Sequence, residues 1–468
     1  MKRNQFHIFY ALQQFQERWI LLLLPLINAL VRFDLAGLIT SLIAEAAVIL
    51  ILGAVSLLIW QNAWWHLGEE GLTVATGLWW HRVITLRPED LACVEVYRRP
   101  LQRMAGAAQV TLYYAHQKGK VMLYLPWRDA RPLADALMKG PAPGSRVYRP
   151  KGLDRVGLAA VSSNLFAGVW LVMFTWRQTA QVLDQLAFVD RESLEQAAFS
   201  RIETLEQYAA LFLPAGLAWL VTIAMLLWLW ALMGSALRTA RFLVAGDGHQ
   251  LRTQSGILTK VTRTVDISYL TAVDMRQGPA ARITRCYPIY LKAGSFGGGD
   301  VPCCLYRVGR EHYLQDLIPD CPLWTKLGVV PLKKRSIPAF LAFPGVCGGT
   351  ALVLYLVSRW ALPQVSWILG VLVLLCLFWA FFQLEGFFRE GVTCLGEDRI
   401  LVRYVKGYTH HRVMVVTPYA GYWFYQTPYN MPYGRGTLRI RLPAGQHLRV
   451  RSILKEGLRR ELGKENIQ

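Results

Sequence analysis

The apolar residues of this 468-residue chain are gathered into long, nearly uncharged blocks, and the blocks come in pairs. A backbone placed in hydrocarbon must satisfy its own hydrogen bonds, so blocks of this kind point to helices. About 20 apolar residues are needed to cross a bilayer. Val156–Trp176 and Tyr208–Leu232 reach that length, as do Ile337–Val357 and Ala361–Leu384. The last two blocks are so close together that they read as a tight helical hairpin. Trp19–Val31 is shorter, but Arg18 and Arg32 at its ends can reach outward and extend it. Leu35–Trp60 follows and carries Glu45. Six spans in three pairs is the expectation. No small-residue cleavage site follows Trp19–Val31, so it reads as a retained first span and not as a signal peptide.

The segments between the pairs are basic. Net charge is +6 over 61–155, +8 over 235–336 and +7 over 385–468, against −3 for the loop 177–207. The positive-inside rule therefore places the three basic segments and the N-terminus in the cytosol, and the acidic loop outside. Cys93, Cys286, Cys303, Cys304, Cys321 and Cys394 fall in the cytosolic segments and Cys347 and Cys376 in spans. That distribution implies no disulfide framework. The positive-inside bias accounts for most of the formal +20, so nucleic acid is not an expected partner.

The basic segments repeat. Gly77, Leu91, Val94, Pro100, Arg103 and Leu112 fall on Gly256, Leu270, Val273, Pro279, Arg282 and Leu291 without a gap, and Glu95 falls on Asp274. The third segment is more divergent. Gly407, Arg412 and Val413 match Gly77, Arg82 and Val83, and Pro428 and Gly434 match Pro100 and Gly106 after a shift. Met431 stands at the Arg103 position, and in the second segment Arg285 stands at the Gly106 position. Each segment opens with short runs rich in β-branched and aromatic residues and closes on helical spacing, as in WRDARPLADALMK with Leu133, Ala136 and Leu137 on one face. The expected boundaries are 1–66 for the first pair of spans, 67–152 for the first β domain, 153–240 and 241–330 for the second set, and 331–386 and 387–468 for the third.

The run RVITLRPEDLACVEV, then PLQRMAG, then AAQVTLYY, set after the Gly77 turn, resembles the bacterial pleckstrin-homology-like (PH-like) membrane-flanked domain family in its three-domain, six-span subtype. The resemblance implies membrane α-helical spans plus all-β PH-like domains. The architecture would be three repeats of a two-helix transmembrane hairpin followed by a small half-open β-barrel capped by a C-terminal helix. It implies no enzyme activity and no cofactor. It implies a binding or assembly role in the cell envelope at the bacterial inner membrane, with links to protection against membrane-active peptides. The implied partners are a smaller PH-like membrane protein or a second copy of the chain, with anionic lipid as a further candidate.

Within PLQRMAG, Pro100 cannot donate to a strand ladder and Gly106 permits a left-handed turn. Arg103 has two readings: a bond to strand-end carbonyls or to Glu95 that locks the connection, or a contact to lipid phosphate or an acidic partner. Pro279, Arg282, Pro428 and Gly434 are the corresponding candidates. Glu45 is the sole acid in an expected span, which makes it either an intramembrane functional group or a residue at the outer interface. The rival class, a transporter or exporter built on the six spans, would be expected to show more such residues. Cys286, Cys303, Cys304 and Cys321 lack the close pair of a zinc site, His410–His411 read as a solvated strand face, and GSFGGGD from Gly294 reads as a flexible hairpin.

Overall fold

The structure is a computed structural model. It describes residues 4–16, 35–142, 144–150, 153–162, 215–299, 301–307, 317–318, 337–361, 363–395, 398–407, 409–428, 430–456 and 458. Strand β1 (Asn4–Gln5) and helices α1 (Phe9–Gln16) and α2 (Leu35–Asn62) come first. The first β unit runs β2 (Trp64–Gly68), β3 (Gly71–Thr76), β4 (Arg82–Leu86), β5 (Leu91–Arg98), α3 (Pro100–Met104), β6 (Ala107–Tyr114), β7 (Lys120–Pro126) and α4 (Trp127–Leu137). After β8 (Arg146–Tyr148), α5 (Leu153–Ser162) and α6 (Ala215–Thr239) comes a second unit. It contains β9 (Leu243–Gly246), β10 (Gln250–Ser255), β11 (Lys260–Asp266), β12 (Leu270–Gln277), α7 (Pro279–Thr284), β13 (Cys286–Ala293) and β14 (Cys304–Arg307). Helices α8 (Pro338–Ala361) and α9 (Pro363–Arg389) precede the last strands. These are β15 (Gly391–Cys394), β16 (Arg399–Lys406), β17 (Thr409–Val416), β18 (Gly421–Tyr425), β19 (Arg435–Arg441) and β20 (His447–Leu454).

Two antiparallel strands, a single 3-10 turn and a third strand recur as β3–β4–β5, β10–β11–β12 and β16–β17–β18, with the turns at Pro88–Asp90, Ile267–Tyr269 and Thr417–Tyr419. The turn splits each unit into two sheets. The second sheet of one unit then continues into the first sheet of the next. A seven-stranded sheet runs β7-β6-β5-β11-β10-β9-β8, and a six-stranded sheet runs β14-β13-β12-β17-β16-β15. A four-stranded sheet β1-β2-β3-β4 and a three-stranded sheet β18-β19-β20 lie at the two ends of this series. The half-open barrels expected from the sequence are thus fused, not separate. The physical cause is burial: the first six residues of β5 and of β12 are all buried, and a buried strand edge cannot leave its backbone groups unpaired.

Both junctions use one register. Glu95 of β5 lies opposite Arg263 of β11, and Asp274 of β12 lies opposite Val413 of β17. Counted back from the 3-10 turns, Ile84, Arg263 and Val413 are equivalent. That differs by one residue from the sequence alignment of the third segment. The tighter β16–β17 hairpin, which pairs Lys406 with Thr409, absorbs the offset.

In the first unit, α4 closes the core with Ala130, Leu133 and Leu137. Ala136 is exposed, so the buried face follows i, i+3, i+7 and not the expected set. Ile453 and Leu454, expected at the start of a closing helix, finish β20 instead. Most of REHYLQDLI lies outside the described residues.

Helices α8 and α9 pack against each other, with Gly348 meeting Cys376, Gly370 meeting Tyr355 and Phe340 edge-on to Phe387. Among the described residues, Pro338–Trp360 and Leu372–Arg389 are long and apolar enough to cross a membrane. Only 17% and 22% of their apolar windows are buried, whereas the core helix of a soluble domain is mostly buried. Val353, Trp360, Phe378 and Phe381 point outward, as residues facing hydrocarbon do. Ala46–Asn62 is a shorter apolar helical stretch. The expected span Trp19–Val31 lies outside the described residues, as do 163–176 of the third expected span and 208–214 of the fourth.

Candidate functional site

The surfaces where the β units meet hold the chain's most unusual chemistry. At the first junction Glu95 and Arg263 are 1% and 2% exposed. Arg263 Nε donates to Glu95 Oε1 at 2.8 Å, and its Nη2 donates to the same oxygen. Arg263 Nη1 donates to the Val301 carbonyl at 3.1 Å, and Tyr113 donates its hydroxyl to Glu95 Oε2 at 3.2 Å. The guanidinium lies over the Phe296 ring. Burial and the Glu95 charge push the Tyr113 phenol well up, and burial does the same to the Cys93 thiol. A Cβ on Gly299 would fall 2.2 Å from Arg263 Nη2, and one on Gly294 would fall 2.2 Å from the Tyr114 carbonyl. The glycine-rich run from Gly294 is therefore a hairpin packed over the junction, and its glycines make room for that contact.

At the second junction Asp274 takes the place of Glu95. His411 Nδ1 lies 3.0 Å from Asp274 Oδ1, and Arg276 Nε donates to Oδ2 at 3.2 Å. His411 stacks on Tyr404 at 4.7 Å. Burial alone would raise the Asp274 carboxyl. The His411 hydrogen bond and the charges of His411, Lys292 and Arg276 outweigh it and hold the group down to about 2. His410 lies 3.1 Å from Glu385 of α9, and burial together with the Arg282 charge pushes it down to about 4. The histidine pair is thus buried and acid-facing, a correction to the solvated face expected from local sequence. Its acids come from elements distant in the chain.

PLQRMAG is a one-turn helix, not a plain turn. Pro100 opens α3, and the Gln102 side chain accepts from the Arg99 backbone at 2.9 Å. Pro279 opens α7 in the same way. In the third unit only a 3-10 turn, Met431–Tyr433, remains after Pro428. The residue that ends each element is left-handed: Gly106 at φ +68°, Arg285 at +53° and Gly434 at +60°. Both arginines reach the following unit. Arg103 Nη1 donates to the Ile257 carbonyl at 2.8 Å, and Ile257 is itself bonded to Leu237 in the last turn of α6. Arg282 Nη1 donates to the two Glu385 oxygens at 3.0 and 2.9 Å. Each arginine therefore ties one β unit to the helices of the next, and Glu95 is held by Arg263 instead.

Beside the first junction, α4, β5, β10 and β11 enclose a cleft of about 230 Å³ with Trp127, Arg131 and Arg252 in its wall. Arg252 pairs with Asp135 across it. The adjoining open mouth is lined by Arg98, Arg103, Lys260, Pro100 and Met104. Arg98 lies over Trp127, and among the described residues its Nε has no hydrogen-bond partner. Burial and the Arg103 charge push its guanidinium down.

Glu45 falls within α2. Cys286, Cys303 and Cys304 are buried in the apolar core of the second unit, and Cys321 lies outside the described residues. Among the described residues no group of three or more His, Cys, Asp or Glu is placed to hold a metal.

Removing one partner of a buried ion pair leaves an uncompensated charge, so Arg263→Met should destabilise the protein by about 3–5 kcal/mol. Glu95→Leu combined with Arg263→Met should recover most of that loss in thermal unfolding of the detergent-solubilised protein. Asp274 is depressed in the folded state. Its contribution is present above the unfolded carboxyl range near pH 4 and is lost as pH falls toward 2. Asp274→Asn should flatten the acid side of the pH–stability curve by about 2–3 kcal/mol. No atom lies within 4 Å of a Cβ built on Gly106, so Gly106→Ala tests the backbone alone and should cost about 1 kcal/mol. Arg285→Gly should gain a comparable amount, read as a rise in the unfolding midpoint.

A search of the curated proteins gives no match, and neither does a search of the solved structures. A family model described as a bacterial PH domain matches residues 20–140 and 201–318, together just over half of the chain. These regions carry the first and second β units, with Glu95, Arg263 and both arginine-bearing short helices. The chain belongs to the bacterial PH domain family.

Proposed function

We propose that this protein is a non-enzymatic assembly module of the bacterial inner membrane. In this reading three PH-like domains, over 67–152, 241–330 and 387–468, each follow a pair of spans and lie in the cytosol with both termini. PH domains are typically binding modules without catalytic activity, and membership of the family supports this reading. The observation that carries the reading is the way the units bind one another. Strand edges are joined in one register, an acid on β5 or β12 is met by a base from the next unit, and an arginine is handed across each time. Surfaces that serve as joints within the chain suit partners of the same build, either a smaller PH-like membrane protein or a second copy. The resemblance to the membrane-flanked family adds a part in protection against membrane-active peptides to this proposal.

Anionic lipid fits the open mouth as a further ligand. Arg98, Arg103 and Lys260 line it together, and Arg103 is linked through Ile257 to the last turn of the apolar helix α6, which in this reading ends near the headgroups. The short helices also expose apolar tips, Met104 at 85%, Ile283 at 84% and Met431 at 63%. A basic residue beside an exposed apolar one suits a membrane interface.

Purification of the tagged protein in mild detergent, followed by mass spectrometry of bound protein and lipid, tests the reading. A specific protein partner or a higher-order complex is expected, together with anionic lipid that falls away in Arg98→Gln/Lys260→Gln. A lone monomer without enriched lipid would sink it. Glu45→Gln should leave the recovered complex unchanged. Loss of a transport activity on that substitution would favour the rival reading of a transporter.

A further inference from the structure

The two sheets at the ends of the series are the two halves of one more junction. At the first junction β5-β6-β7 meets β11-β10-β9, and at the second β12-β13-β14 meets β17-β16-β15. The sheet β1-β2-β3-β4 ends on β4, the equivalent of β11 and β17. The sheet β18-β19-β20 ends on β18, the equivalent of β5 and β12. Among the described residues neither outer edge is paired. The burial pattern records the missing neighbours. Val261, Arg263 and Val265 are all buried, whereas the equivalent Arg82, Ile84 and Leu86 are exposed, half-buried and buried. Glu95 is 1% exposed, whereas its equivalent Trp423 is 42% exposed. That equivalence follows from the ladder, because Trp423 pairs with Arg439 as Glu95 pairs with Thr111, five residues after Gly434 and Gly106 respectively.

We propose that two copies of this chain join head to tail, β18 of one copy pairing antiparallel with β4 of the next in the register that sets Trp423 opposite Ile84. The proposal rests on the assembly reading above and names its partner. The two edges are matched in chemistry. The charged residues of the first internal junction have apolar counterparts at the outer edges, whereas Arg82 stands at the place of His411 in the second. Trp423 replaces the acid, and Ile84 replaces Arg263. Met431 replaces Arg103, and the loop that would receive it carries Trp79 and Trp80, which are 85% and 93% exposed. The same register sets Tyr425 opposite Arg82, an aromatic face for a guanidinium, and Phe424 opposite Val83. Aromatic and β-branched residues are favourable cross-strand neighbours. Edges that must stay solitary usually carry lysine, proline or a bulge. β18 reads GYWFY and β4 reads RVITL, so Arg82 is the one charge on the two strands. Because the two edges differ, the contact is heterologous, and each added copy presents a fresh edge.

The test uses the full-length protein in nanodiscs or detergent, with mass photometry over a range of concentrations. Wild type should form dimers and longer species that grow with concentration. Trp423→Arg and Ile84→Arg alter opposite edges at exposed or half-exposed positions. Each alone should raise the apparent dissociation constant about tenfold or more. Trp423→Arg should leave the unfolding midpoint unchanged, whereas Ile84→Arg, at a side chain packed against the core of the first unit, should lower it. Recovery of dimers on mixing separates that cost from the loss of pairing. An equimolar mixture of the two should recover dimers and stop there, because one intact β18 and one intact β4 remain while the other two edges repel. Self-association that survives Trp423→Arg would mean pairing of β4 with β4 and would overturn the proposal. Survival in Ile84→Arg would mean pairing of β18 with β18, with the same consequence. A wild type that is monomeric at every concentration also overturns it. If the purification described above still yields a different protein, self-pairing fails while the assembly reading stands. If it yields neither partner nor lipid, both fail.

Discussion

The continuation of a sheet from one PH-like unit into the next is the constraint on which the remaining structure depends. β5 and β12 are buried along most of their length, and a buried strand must have hydrogen-bonded neighbours on both sides. β6 and β13 supply one neighbour, and β11 and β17 of the following unit supply the other. Once that pairing is made, the helices that precede the following unit are carried into place. Arg103 then reaches Ile257, which is bonded to the end of α6, and Arg282 reaches Glu385 near the end of α9. The glycine-rich hairpin closes over Arg263, and the histidine pair meets Asp274 and Glu385.

Backbone pairing alone does not choose a register, because every shift by two residues keeps the same face inward. The buried ion pairs supply that choice. Desolvating Glu95 and Arg263 costs several kcal/mol per ion, and only a register that brings them together offsets it. Any slip leaves two unpaired charges in a dry interface, which disfavours the alternatives more strongly than the pair favours the native state. Asp274, with His411 and Arg276, does the same work at the second junction with different residues. The substitution shows that the place of the charge is what recurs, and the base is drawn from whichever strand position can reach it.

Much of this was legible beforehand. The alignment set Glu95 on Asp274, Arg103 on Arg282 and Arg285 at the Gly106 position, and the structure gives those positions matching environments. The bonds themselves could not be read. Arg263 lies 168 positions from Glu95, and His411 lies 137 from Asp274. β17 holds no acid that would mark His411, and the one acid of β11, Asp266, caps the turn after the strand and is not the partner of Arg263. His410–His411 looked solvated because alternation along a strand shows which residues share a face, not what that face is packed against. The equal left-handed angle at Gly106, Arg285 and Gly434 is a backbone requirement that one glycine announces and an arginine conceals.

The sequence by itself determined the local order of elements: apolar helices, β-rich basic segments, and between two strands of a segment a turn opened by proline and, at Gly106 and Gly434, closed by a glycine free to be left-handed. These follow from propensity, periodicity and the steric properties of proline and glycine, which act over a few residues. Tertiary structure alone decided that the β segments are not separate barrels, that the arginine of one unit belongs to the next, and that two unlike strand edges are left over at the ends. Strand pairing joins backbone groups that are chemically alike in every strand, so local sequence does not name the partner. The partner is chosen by burial and by charges that meet only after the chain has folded.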